Sequence, residues 1–306
     1  MSSDSFSNTR VWFITGSSQG LGRALLEEVL ASGERAVATL RTPAVLAPLA
    51  QKYPAAQLLV VPLDVADAAQ IAAAFGAARA HFGRLDVVVN NAGYGLQGEI
   101  EAVPEEDARR QMEVLFWGPV HVTKEAIAFF RDVNPPGHGG RVLNVSSCGG
   151  YAANPTLAYY SAGKFAMEGF TEAFTKEMLP EWNIKGVIVE PGGFRTAWNA
   201  ASMVRVPAHP QYAAPTSPSS VHRELAAQPY IGDPAKAARA MVQIAGLRDP
   251  PLRVQLGTES LMLVRGRALR TIRDGEQYEE LAHSTNCDGV DRNKVMEWFK
   301  VLSSDD

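Results

Sequence analysis

The sequence predicts a single α/β domain of the doubly wound kind, with helices covering both faces of a parallel sheet. Three observations carry that expectation. Over the first 190 residues, short β-branched runs alternate with longer segments of helical period. The runs are apolar at nearly every position, as strands buried on both faces require. A glycine-rich turn joins the first run to the first helical segment.

The elements follow in order. Residues 11–14 form the first strand, and the helix after it carries Leu21, Leu25 and Val29 on one face. Residues 36–40 and 57–61 are the second and third strands. Between Asp67 and Phe82, the positions Ile71, Phe75, Ala78 and Phe82 keep helical spacing. A strand at 86–90, a long helix from about Pro104, a strand at 141–145, a helix over 157–179 and a strand at 184–190 continue the alternation. Pro104 before Glu105, Glu106 and Asp107 marks a helix start, because proline suits the first turn and acids suit its positive end. These acids are read as structural.

After Pro191 the regularity stops. Residues 198–230 hold five prolines and no clear period, and a loop of that length in a compact domain is usually a functional lid or disordered. A helix over 234–246 and a last strand over 252–256 resume the pattern, with helices expected beyond. The whole chain, 1–306, is thus expected to be one domain. Its core spans about 10–196, its loop excursion 197–232, and its last helix, strand and helical extension 233–306.

Composition narrows the function. The 306 residues carry 29 Lys and Arg against 33 Asp and Glu, a net charge of −4, with 46% hydrophobic and 20% charged residues. That mild acidity argues against a nucleic-acid binder working through a basic face. No apolar run reaches the roughly 18 residues of a membrane span. The first ten residues, MSSDSFSNTR, lack the apolar core of a secretory signal. Cys148 and Cys287 are the only cysteines, too few for a disulfide framework and consistent with a reducing compartment, so a cytoplasmic location is expected. No histidine falls at zinc-ligand spacing with a cysteine, so no metal is expected.

The turn Thr15-Gly16-Ser17-Ser18-Gln19-Gly20-Leu21-Gly22 lies between the first strand and the first helix. Glycines there let the backbone approach a pyrophosphate, whose charge the helix N-terminus favours. A glycine-rich turn alone also makes a plain strand–helix connection, and its placement is what points to a nucleotide. Further on come Asn90-Asn91-Ala92-Gly93, Tyr160 four residues before Lys164, and Pro191-Gly192. In order and spacing these four motifs resemble the classical short-chain dehydrogenases/reductases, a Rossmann-fold family, over about residues 10–200.

The resemblance implies a set of roles. Gly16, Gly20 and Gly22 would form the pyrophosphate turn, Asp64 would meet the adenine amino group, and Asn91 would close the cleft under the adenosine ribose. Pro191, Gly192 and Thr196 would hold the nicotinamide end. At the end of the second strand an acid would select NAD, whereas this chain has Arg41. A forked guanidinium suits a 2′-phosphate, so the expected cofactor is NADP(H), with Ser17 as a second phosphate ligand.

Tyr160 and Lys164 are four apart and share a helix face. A phenol ionises near pH ~10, and a nearby ammonium lowers that value. Tyr160 is therefore expected to exchange the proton of a carbonyl or hydroxyl oxygen, with Lys164 also anchoring the nicotinamide ribose. The resemblance places the family's serine thirteen residues earlier, at Ser147, where it would stabilise the substrate oxygen. Ser146 is expected to serve the backbone of the turn. The chain departs from the family at Leu115, where an asparagine usually supports a helix kink and a water relay. Gly118-Pro119 is expected to make the kink instead.

Family architecture would put Tyr94, Cys148, Gly149, Tyr151, Phe194 and Trp198 around the substrate. Their apolar character suits a bulky ketone or secondary alcohol, and Cys148 has no evident activating base. The leading expectation is an NADP(H)-dependent carbonyl reductase, acting on a small molecule as a homodimer or homotetramer built on the helices at 105–131 and 157–179. Two other readings stay open: a non-redox isomerase or cyclase on the same scaffold, and a nucleotide-sensing binding module.

Overall fold

A computed structural model describes residues 9–303; residues 1–8 and 304–306, including most of the polar N-terminal segment, lie outside the described residues. The first half of the chain runs β1 (Val11–Thr15), α1 (Gly20–Ala31), β2 (Arg35–Leu40), α2 (Ala47–Lys52), β3 (Leu58–Pro62), α3 (Ala68–Phe82) and β4 (Val87–Asn90). Next come β5 (Gly95–Gln97), α4 (Glu105–Met112), α5 (Gly118–Asp132), β6 (Gly140–Val145), α6 (Ala158–Glu177) and β7 (Ile184–Pro191). β8 (Met203–Arg205), α7 (Pro218–Ala226), α8 (Pro234–Ala245), β9 (Arg253–Leu256), α9 (Thr258–Gln277), α10 (Glu279–Ser284) and α11 (Arg292–Ser303) complete it.

Seven strands form one sheet in the order β3-β2-β1-β4-β6-β7-β9, every neighbouring pair parallel. The order reverses between β1 and β4, which opens a crevice at the carboxyl ends of those strands. Strand alternation divides the core between the two faces. Trp12 and Ile14 pack with Leu25, Leu26 and Val29 of α1 and Met241 of α8. Val11 and Phe13 pack on the other face with Ile71 and Phe75 of α3, Phe129 of α5 and Phe174 of α6. The central strands β1 and β4 are buried at every position because both of their faces are covered.

Helix starts match their local chemistry. Asp67 caps α3, its Oδ1 accepting from the amides of Ala69 (2.9 Å) and Gln70 (3.1 Å). Asp233 caps α8 in the same way, with Pro234 next to it. The long helix from Pro104 is not continuous. α4 ends at Met112, a π-helical turn spans Glu113–Trp117, and α5 begins at Gly118. The irregularity thus lies before Gly118-Pro119 rather than at that pair, which was expected to make the kink; Pro119 sits in the first turn of α5.

The excursion has more structure than its composition suggested. β8 pairs in parallel with β5, matching Gly95 with Met203 and Gln97 with Arg205. Glu99, 4% exposed, receives the Arg223 guanidinium of α7 on both carboxylate oxygens and the amide of His209. Thr156 bonds His222 at 3.0 Å. Glu99→Ala would leave Arg223 without its partner. Limited proteolysis is expected to cut residues 207–230 at least several-fold faster in that variant, with the thermal midpoint of the sheet core little changed.

Among the described residues the chain divides into two units, one up to Val264 and one from Arg265 onward. The first holds both sheets. The second consists of the rest of α9 with α10 and α11 and leaves Leu269, Ile272, Leu281, Met296, Trp298 and Phe299 exposed. No described helix is long and apolar enough to cross a membrane.

Candidate active site

The turn after β1 is shaped by three glycines for two reasons. Gly16 and Gly20 have φ of +69° and +62°, a region that only glycine enters without strain. Gly22 is needed for close approach: a Cβ there would lie 2.3 Å from Asn91 Nδ2 and 2.4 Å from Gly16 O. Asn91 locks this packing. Its Nδ2 donates to Thr15 O (2.9 Å) and Gly16 O (3.1 Å), while the amides of Asn91 and Ala92 both donate to Thr15 Oγ1 at 3.0 Å. The result is a cradle surfaced by backbone at the N-terminus of α1, the chemistry that a pyrophosphate requires.

Around the cradle, Arg41 follows β2 and is exposed, and Asp64 follows β3 with its Oδ1 accepting from the Ala66 amide at 3.0 Å. Thr196 reaches the turn from the far side, its Cβ 3.6 Å from where a Cβ on Gly20 would lie. Pro191 ends β7, and the Gly192 amide donates to Leu256 O at 2.8 Å. Ser17 is turned inward, contrary to the expected phosphate contact. It is fully buried and its hydroxyl donates to Ile14 O at 2.8 Å, closing the turn.

Beyond the ends of β6 and β7 lies a second group. Ser147 caps the short turn Cys148–Gly150, its Oγ accepting from the Gly149 amide at 3.1 Å. Tyr160 and Lys164 are 6% and 5% exposed on one face of α6. A Cβ on Gly149 would sit 3.5 Å from both Ser147 Oγ and Tyr160 Cε1, so the turn packs at contact distance against both the serine and the phenol ring. Lys164 Nζ donates to Val145 O at 2.7 Å and stands 5.9 Å from the centre of the Tyr160 ring.

Burial pushes the Tyr160 phenol well above its ordinary range, against a lowering hydrogen bond with Ser147. Lys164 was expected to lower it; here the ammonium lies over the ring instead, and desolvation dominates. Burial also lowers Lys164 to about 8, partly opposed by the charge of Glu168.

Trp198 packs its ring 5.2 Å from that of Tyr160. Phe194 is buried against Gly232, and Tyr94 is half-buried with its carbonyl held by Gln111 Nε2. Cys148 lies beside Ser147, and burial pushes its thiol up, so it is a poor nucleophile. Tyr151 goes elsewhere, its ring covered by the Arg253 guanidinium at 5.3 Å.

A family model described as short chain dehydrogenase matches residues 10–205, the span that carries the cradle and the Ser147, Tyr160 and Lys164 group. The chain is a short-chain dehydrogenase. This dehydrogenase is 41% identical over 256 residues to an uncharacterized oxidoreductase of Schizosaccharomyces pombe, covering 82% of this chain and 83% of the relative. It is 36% identical over 282 residues to oxidoreductase calM of Penicillium decumbens, covering 89% and 91%. A short-chain dehydrogenase structure from Streptomyces avermitilis superposes with a TM-score of 0.83 at 32% identity, over 92% of this chain and 100% of that one. A Burkholderia cenocepacia short chain dehydrogenase solved with NADP shares the fold, with a TM-score of 0.68 at 24% identity over 88% and 97%. The dehydrogenase is an oxidoreductase of this family, and its cofactor is NAD(P)(H).

For two features of the dehydrogenase's site, the packing of Leu115 and the partners of Ser146, the tertiary structure was needed. Leu115 is fully buried at the centre of the π-helical turn, its Cδ2 2.9 Å from where a Cβ on Gly93 would lie and its Cβ 3.1 Å from that position on Gly163. An apolar side chain fills the place where the family has a polar one. Ser146 does not serve the turn; its hydroxyl donates to Glu168, whose other oxygen takes Arg253. Glu168 lies one helical turn beyond Lys164, and Arg253 is a charge within a short strand. Both signals were present, but only the fold brings them together.

Proposed function

We propose that this dehydrogenase is an NADP(H)-dependent carbonyl reductase for a bulky, mainly apolar ketone, with the reverse reaction on the corresponding secondary alcohol. The observation that carries the reading is the grouping of three side chains: the Tyr160 phenol shares a hydrogen bond with Ser147, and Lys164 Nζ stands 5.9 Å from the centre of the same ring. A carbonyl oxygen bound against these two hydroxyls meets two donors.

The bound nicotinamide supplies the hydride. The protein's own residues do the rest. Ser147 hydrogen-bonds the substrate oxygen as charge develops on it. Tyr160, kept protonated by burial, donates the proton. Gly16, Gly20 and Gly22 hold the pyrophosphate, with Asn91 fixing the cradle, Asp64 toward the adenine, and Pro191, Gly192 and Thr196 toward the nicotinamide. Trp198, Phe194, Tyr94 and Cys148 supply apolar surface for the substrate, and residues 197–232 act as its lid. Exposed Trp117 and Phe165 support association of copies through the π-helical turn and α6.

The test is NADPH oxidation by the purified protein against aryl and alicyclic ketones, with NADH in parallel. NADPH-selective consumption supports the reading; tight NADPH binding without consumption by any ketone overturns it in favour of a non-redox role. Arg41 supports the choice of NADP(H), because it is exposed beside the cradle and carries the forked donors a 2′-phosphate takes. Arg41→Asp is expected to weaken NADPH binding by about 10–100-fold and NADH binding by less than about three-fold, as loss of one or two charge-assisted bonds implies. Equal losses for both cofactors in fluorescence titration would assign the phosphate to another residue.

A further inference from the structure

Behind Lys164 lies a layer of buried charge that the reaction, as described so far, does not use. Glu168 follows Lys164 by one turn on the same face of α6 and is 2% exposed. One of its oxygens accepts from Ser146, the other from Arg253. The turn Cys148–Gly150 packs directly on it: a Cβ on Gly150 would lie 2.3 Å from Glu168 Oε1 and 3.0 Å from Lys164 Cβ. Arg253 is shared with Glu190, fully buried at the end of β7, at 3.1 Å, and with the half-exposed Glu172 at 3.4 Å. Gln255 takes the other Glu190 oxygen.

Charge count gives this cluster its meaning. Two deeply buried carboxylates, Glu168 and Glu190, face a single guanidinium. The second buried cation of the layer is Lys164. A buried charge without a counter-charge is costly and neutralises instead. Lys164 needs such a partner more than usual, since the π-helical turn presents it with Leu115, which offers no acceptor, and its bond to Val145 O uses one of its three donors.

We propose that Glu168, held in place by Ser146 and Arg253, is a positioning residue whose buried carboxylate keeps Lys164 an ammonium beneath the reacting phenol. The inference rests on the reading of Tyr160 and Lys164 above.

The other ionisable groups around Lys164 do not supply that charge. On its own helix Tyr160 is a protonated phenol. The Cys148–Gly150 turn contributes the neutral Cys148 thiol and, after it, Tyr151, which faces Arg253. β7 contributes Glu190, engaged by Arg253 and Gln255, and β9 contributes Arg253 itself. Burial, to which Glu190 adds, pushes Glu168 up to about 7, while Ser146 and Arg253 hold it from rising further; the carboxyl is therefore mostly ionised near pH 8, where Lys164 titrates.

The sign follows. Lys164 loses its proton as pH rises through about 8. Removing a nearby negative charge disfavours the ammonium, so the loss moves to lower pH. The full chain labelled with ¹³Cε-lysine reads this directly, with the Lys164 signal identified by its absence in Lys164→Met. Glu168→Gln is expected to move the Lys164 midpoint down by about one pH unit or more, the size of effect an opposite charge within several ångströms exerts. Glu168→Asp is expected to restore most of it. Ser146→Ala, which keeps every charge, is expected to move it the same way by less, and it serves should Glu168→Gln not fold. The alkaline limb of kcat should move with the midpoint. An unchanged Lys164 midpoint in Glu168→Gln, or in Ser146→Ala if only that variant folds, overturns the proposal. The readout needs no turnover, so its failure is distinct from the failure of Tyr160→Phe to lose activity, which would remove the reductase reading itself.

Discussion

Tyr160→Phe is expected to lower ketone-dependent NADPH oxidation by about 10²–10⁴-fold, the contribution of a positioned general acid, while NADPH binds within about three-fold of the parent. The structure makes the substitution clean. The ring, 6% exposed, packs on Trp198 at 5.2 Å and lies under Lys164, and phenylalanine keeps all of that surface. What leaves is one hydroxyl and its hydrogen bond with Ser147. The stability cost should be near 1 kcal/mol, as for a single neutral hydrogen bond, which thermal melts will show. Single-turnover NADPH oxidation separates the chemical step from release. Turnover within ten-fold of the parent would take the proton-donor role away from Tyr160.

Gly22→Ala carries the second large effect, expected as a loss of NADPH affinity of more than about 100-fold, roughly 3 kcal/mol. An added Cβ meets Asn91 Nδ2 at 2.3 Å and Gly16 O at 2.4 Å, and neither yields cheaply. The Asn91 side chain is tied to two carbonyls, Thr15 O and Gly16 O, and the backbone on either side is tied through Thr15 Oγ1. Relief therefore requires the cradle to spread, which misplaces its amides and costs stability as overpacking does. Gly76→Ala is the control. It lies within α3 with nothing inside 4 Å of its Cβ position, so it should leave binding unchanged and add up to about 1 kcal/mol of stability. Near-parental affinity for Gly22→Ala in a fluorescence titration would show that the pyrophosphate is held elsewhere.

Much of the architecture was legible because local signals and the final packing agree. Strands apolar at nearly every position required cover on both faces, and Trp12 with Ile14 and Val11 with Phe13 found it on opposite sides. The helices expected from about Asp67 and from Pro234 begin there, capped by Asp67 and Asp233. The Tyr160–Lys164 spacing placed both on one helical face whatever the tertiary fold. The excursion was illegible for the opposite reason. β8 is three residues long and exists only because β5, more than a hundred residues earlier, offers it an edge, and α7 is pinned by Glu99 from outside its own segment. Neither leaves a period in the sequence.

Short-range signals set the order of strands and helices, the glycine turn, and the residues that approach it through motifs of fixed spacing. These depend on neighbours within a few positions, where backbone geometry and helical or strand periodicity decide. The electrostatics of the site arise from the assembled fold. It turned Ser17 inward, joined Ser146 to Glu168, set Arg253 against two buried acids, and filled the place beside Gly93 with Leu115. Burial sets the cost of every charge, and burial is a property of the assembled fold rather than of any segment.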